Sequence, residues 1–257
     1  MAKKARTPAP PKRPVQAPKR RTPQQPPPSD RRKLLLLFGF AAAGLVALAV
    51  VIAVIVLVGG KKGSSVSAAS AAKVASTMRA AGCTYRDTPG IKADPLHRNV
   101  PNVEMKVTFN GGKPVDANGV HYWTYPPANG PHYGIPAVWN FYDSAVPVLQ
   151  VVHNEEHGGV ILWWGPKVPQ SEVEQLRAFY QSSPVAMIGT PAPKLGSKVA
   201  ITAWTGNPSH YFQNGDYGEG HVAVCPSFNE HAFTVFRDAY RGHGPEGIPM
   251  NSAQPGT

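Results

Sequence analysis

Between Leu34 and Val58 the chain runs for 25 residues without a charged or strongly polar side chain. A helix needs about 20 such residues to cross roughly 30 Å of hydrocarbon, and a stretch apolar on every face has no polar side to show to water. The run is therefore read as a transmembrane helix, and it divides the chain before any other feature is considered. It exceeds the roughly 7–15 apolar residues of a secretory signal, and the basic leader ahead of it is longer than a signal n-region. No Cys follows it closely, which argues against lipoprotein processing.

Charge sets the direction of the span. Eleven of the 26 Lys and Arg lie between Lys3 and Lys33 with only Asp30 against them, whereas Lys61 and Lys62 are the only basic pair just after the run. The positive-inside rule keeps residues 1–33 in the cytoplasm and exports everything from about residue 60, giving a single-pass protein of the cell membrane. The leader holds Pro8, Pro10, Pro11, Pro14, Pro18, Pro23 and Pro26 to Pro28, and Val15 is its one large apolar residue after the initiator. Such a segment cannot bury a core and is read as disordered, with its charge drawn to anionic lipid headgroups. The net charge of +11 invites a nucleic-acid reading, but residues 34–257 carry 15 basic and 14 acidic side chains, so no nucleic-acid partner is expected. The expected partners are membrane lipid and an unidentified protein of the envelope.

Residues 59–82 begin as a Gly, Lys and Ser linker and become Ala-rich, with Val74, Met78 and Ala81 at helical spacing and Gly82 as a stop, the pattern of a juxtamembrane helix. An exported domain is expected over 83–250 and a flexible C-terminus over 251–257. Within the domain, Val103, Met105, Val107 and Phe109 alternate with polar residues as in a half-buried strand, and Val120–Tyr125, Pro184–Ile188 and Lys198–Trp204 read as further strands. Ser171 with Glu174 forms a capping-box pattern ahead of Val173, Leu176 and Tyr180, and a second helix starts near Asn229 and stops at Gly242. The fold class is α+β, one mainly antiparallel sheet with two covering helices. Cys83 and Cys225 are the only cysteines, and in an oxidising compartment they are expected to pair.

Two segments carry chemistry. Tyr125-Pro126-Pro127-Ala128-Asn129-Gly130-Pro131-His132-Tyr133 is a loop stiff enough to present the imidazole of His132. His153-Asn154-Glu155-Glu156-His157-Gly158-Gly159 matches the H-x-x-E-H pattern of inverted zinc metallopeptidases. That motif works on a helix, where one turn puts both His on one face. Here Val146–Val152 and Val160–Trp164 look β-type and Gly158-Gly159 opposes a helix, so strand, tight turn and strand is expected. A turn can still bring His153 and His157 to one ion, with His132 completing a three-His site for copper or zinc and Glu156 orienting a ligand without binding the metal. His97, His121, His210, His221, His231 and His243 read as structural or surface residues, His221 least clearly so. Trp123, Tyr125, Trp139, Tyr142, Trp163 and Trp164 read as core. No Gly-rich phosphate loop and no G-x-S-x-G nucleophile motif occurs.

These segments resemble the bacterial domain-of-unknown-function family numbered 3105, over about residues 85–250. The marks are Pro126 to His132, His153 to Gly158 and a terminal Gly244-Pro245-Glu246, with Glu155 standing where the family pattern usually has an apolar residue. The resemblance implies a membrane-tethered exported domain and no particular activity. The expected function is transition-metal binding through His132, His153 and His157 for storage, delivery or sensing. One rival is a cell-envelope interaction module whose His and Glu motif is structural, and another is a metallohydrolase with Glu156 as base. No residue is assigned a catalytic role, and binding is favoured over catalysis.

Overall fold

The computed structural model describes residues 66–91, 107–109, 113–116, 119–211, 213 and 216–257. The apolar run 34–58, the basic leader and the first part of the expected strand at 103–109 lie outside the described residues. Among the described residues no helix is long and apolar enough to cross a membrane.

The architecture is α+β with a mainly antiparallel sheet. Helix α1 spans Ala68–Ala80, where the Ser67 side chain accepts the Ser70 N–H at the first turn and Val74 and Met78 make the buried stripe. Strand β1 (Thr84–Pro89) follows. Three short strands, β2 (Val107–Thr108), β3 (Lys113–Asp116) and β4 (Gly119–His121), form a small sheet in the order β2-β4-β3. Then come α2 (Val148–Glu156), β5 (Val160–Trp164), α3 (Gln170–Ser182), β6 (Met187–Pro191), β7 (Val199–Thr205), β8 (Glu219–Cys225) and α4 (Glu230–Tyr240). The main sheet runs β1-β8-β7-β5-β6. Its neighbours are antiparallel except β5 and β6, which are parallel because α3 carries the chain back between them.

Period-2 alternation in β5 explains the layering. Val160, Leu162 and Trp164 join one core with Leu176 of α3, Phe233 and Phe236 of α4, and Val74 and Met78 of α1. Ile161 and Trp163 face the other way, against Val151 of α2 and Trp139. Three helices therefore cover one face and α2 the other, against the two covering helices that the sequence suggests. A third cluster packs Leu149 and Val152 of α2 against Val120, Tyr122 and Trp204. Caught between the main sheet and the small one, α2 is buried on nearly all sides.

This burial corrects the strand-turn-strand expectation for 146–164. A helix with no solvent face shows no polar stripe in its sequence, and Val146, Val148, Val151 and Val152 then look like a strand. Pro147 stands at its N-cap, and Gly158 (φ 88°) follows the cap residue His157, so the Gly pair ends the helix and does not prevent it. In α3 the Ser171–Glu174 capping box is not used: Pro169 is the N-cap residue without a side-chain bond, and the Glu174 carboxylate accepts the Gln170 side-chain amide at 2.6 Å instead. Asn229 does cap α4, accepting the Ala232 N–H at 2.9 Å. Cys83 and Cys225 are joined. Beyond residue 250, Ala253 is buried and the Trp139 N–H donates to the Thr257 carbonyl.

Candidate metal centre

The last turn of α2 brings His153, Glu156 and His157 to one side, as the H-x-x-E-H pattern requires of a helix. His132 reaches them from its Pro-rich loop. Its Nδ1 lies 2.7 Å from the Gly130 carbonyl, which only accepts, so Nδ1 carries the hydrogen and Nε2 is left facing Glu156 Oε2 at 2.9 Å. His153 is oriented in the same way: Nδ1–H donates to the Tyr133 carbonyl at 2.6 Å, and Nε2 faces His157 Nε2 at 3.0 Å. His157 Nε2 also lies 3.1 Å from Glu246 Oε2. The Tyr211 hydroxyl donates to the second oxygen of Glu156. Ligand atoms of His132, His153 and Glu156 all fall within 4.8 Å of one another.

The electrostatics follow from this packing. Burial pushes the His153 pKa down to about 4, helped by the charges of His132 and His157, so the ring keeps its Nε2 lone pair. Burial acts to lower His132 as well, but the Glu156 hydrogen bond and charge outweigh it and its pKa is raised. Burial and then the charge of Glu156 push the Tyr211 phenol up, so it stays a donor. The site has a dry end and a wet end: the side chains of His132 and Glu156 are 1% and 0% exposed, those of His157 and Glu246 21% and 23%.

One glycine contact assembles the two ends. A Cβ on Gly244 would overlap the Gly158 nitrogen and the Glu156 carbonyl oxygen, and one on Gly158 would lie 2.9 Å from the Gly244 nitrogen. The two backbones cross where no side chain fits, and the Gly242 N–H donates to the Gly158 carbonyl at 2.8 Å. The crossing carries Glu246, two residues on, to His157. The three sequence marks at 126–132, 153–158 and 244–246 therefore meet at one point.

His132, His153 and His157 are brought to this cluster, and Glu156, expected to stand behind them, is in it. Glu246 and Tyr211 join the cluster although the sequence alone assigns neither of them to a site. Glu246 has a signal in the Gly-Pro-Glu mark, whereas Tyr211 has none. His221 belongs to a separate network, with Nδ1 2.7 Å from Asp87 Oδ1, Nε2 2.8 Å from Thr205 Oγ1 and its ring stacked on Tyr240. Trp139, Trp163 and Trp164 are core.

A family model described as "Protein of unknown function (DUF3105)" matches residues 115–252. No curated protein and no solved structure matches the chain.

Proposed function

Since the chain belongs to the DUF3105 family, whose description names no activity, we propose from the site itself that this is a transition-metal-binding protein. One observation carries the reading. Two pairs of donor atoms face each other, His132 Nε2 with Glu156 Oε2 at 2.9 Å and His153 Nε2 with His157 Nε2 at 3.0 Å. With both Nδ1 hydrogens used on carbonyls, each pair needs a proton or a cation between its lone pairs. A single divalent ion between the pairs serves both at once. Bonds of about 2.0–2.1 Å in a tetrahedral site set neighbouring ligand atoms roughly 3.3 Å apart. Each pair is within a few tenths of an ångström of that spacing, and the two pairs, whose His132, His153 and Glu156 atoms span up to 4.8 Å, draw together on binding.

His132, His153, His157 and Glu156 form the proposed ligand set, with Gly130, Tyr133 and Tyr211 fixing its orientation. Three imidazoles and a carboxylate suit zinc or copper(II). Copper(I) prefers soft sulfur, and both cysteines are committed to the disulfide. The role is storage, delivery or sensing in an exported domain held by the Leu34–Val58 segment, a placement supported by the charge asymmetry of that segment and by the disulfide.

A structural reading is favoured by the full burial of His132 and Glu156 and by the carbonyl anchors. A hydrolytic one gains the helix that its motif needs, but both Glu156 oxygens are engaged, by His132 and Tyr211, which leaves no base facing water. Titration of the metal-stripped full chain with Zn(II) or Cu(II) separates these readings. Metal binding predicts one ion per chain, weakened at least 100-fold by His132→Ala, His153→Ala or His157→Ala. It also predicts a stabilisation of about 2.7 kcal/mol at ~100 Kd of free metal. The structural reading predicts variants that lose thermal stability without metal, and no rise on adding it.

A further inference from the structure

Glu246 belongs to the cluster by position but not to the buried set. Its carboxylate touches His157 at the wet end, and the residue lines an open cavity of about 330 Å³ together with Pro208, Tyr211, Pro245 and Ile248. Tyr211 lies in the same wall, and its hydroxyl reaches Glu156. Two walls of one cavity thus end on the two donor pairs, one on each. The walls come from separate loops held together by close backbone contact. The Gly206 N–H donates to the His243 carbonyl at 3.0 Å, and a Cβ on Gly206 would lie 2.6 Å from Pro245 Cβ.

Resting on the metal-binding reading, we infer that this cavity is the route by which the ion enters and leaves, and that Glu246 is its exchange ligand. A hydrated divalent cation meets the Glu246 carboxylate first, exchanges a water for it, and passes to His157 and then His153. The His132–Glu156 pair completes the coordination inside. The proton lying between each donor pair leaves as the cation takes its place. Glu246 then serves the rate of loading, whereas the four inner donors set the affinity.

The test is stopped-flow exchange of Zn(II) between the full chain and a chromophoric chelator. Ile248→Trp and Pro208→Trp each add bulk to the cavity lining at a residue that is not a proposed donor. Each should slow loading and release together, about tenfold or more, and leave Kd within about threefold. Glu246→Gln should slow loading by a similar factor, with partial rescue in Glu246→Asp. Zn(II) binding at rates that none of these variants changes overturns the route while leaving the site intact. Failure of the unaltered chain to bind Zn(II) or Cu(II) at all overturns the metal reading and the route with it.

Discussion

Glu155 sits in α2 with no exposed surface; one carboxyl oxygen accepts the Thr202 hydroxyl, and the other has no partner among the described residues. Burial pushes its pKa well above the usual carboxylate value, so the folded protein carries it neutral. The linkage has a definite sign. Above about pH 4.5 the unfolded chain ionises Glu155 while the folded chain keeps the proton. This residue therefore subtracts stability as pH rises, about 1.4 kcal/mol for every pH unit until the folded carboxyl also ionises. Glu155→Gln keeps an acceptor for Thr202 and removes the ionisation. Its unfolding free energy should exceed that of the unaltered protein at about pH 7.5, with the gain vanishing near pH 4.5, as read by denaturant melts at the two pH values. An equal effect at both would show that Glu155 is not held neutral. His153 has the opposite sign: its depressed pKa costs stability as pH falls from about 6.5 toward 4. The departure at residue 155 is thus a buried acid where an apolar side chain would meet no desolvation penalty.

Helix α2 is the element on which the site depends, and it is the least legible in the sequence. Strands β5 and β7 announce themselves as short apolar runs of β-type residues, and helices α3 and α4 through an apolar stripe, because each helix has one face in the core. Helix α2 offers no such contrast, since Leu149, Val151 and Val152 are shared between two cores and its polar residues are buried as well. Its His and Glu residues are legible one by one, from type and spacing. Their convergence with Glu246 is not, because it depends on a backbone crossing between segments far apart in the chain. Gly244→Ala tests that crossing. The added methyl would overlap the Gly158 and Glu156 backbone, and overpacking of this kind costs roughly 1–3 kcal/mol. Stability should fall by that amount, and Zn(II) loading should become at least as slow as in Glu246→Gln. A variant of unchanged stability and loading rate would show that the crossing does not position Glu246.

Across the whole molecule, the family match begins at residue 115, yet the sheet begins earlier. Strand β1 pairs with β8 from Thr84 opposite Val224 to Pro89 opposite Glu219, and α1 adds Val74 and Met78 to the core. The Cys83–Cys225 bond, spanning a sequence separation of 142, fastens this early segment to the last strand of the sheet. In the chain-entropy account, closing so long a loop restricts the unfolded state by about 5 kcal/mol. Cys83→Ser/Cys225→Ser should therefore lose about 2–5 kcal/mol in denaturant melts, as should the reduced protein, and equal stability with and without reductant would show that the bond constrains nothing. The glycine crossing has a consequence in time. A ribosome delivers His132, then the helix with His153 and His157, and only much later Gly244 and Glu246. Until that final stretch has emerged and settled against Gly158, the earlier histidines lack the carboxylate at their open end. On the metal-binding reading, rapid loading of an ion is thereby deferred to the finished chain.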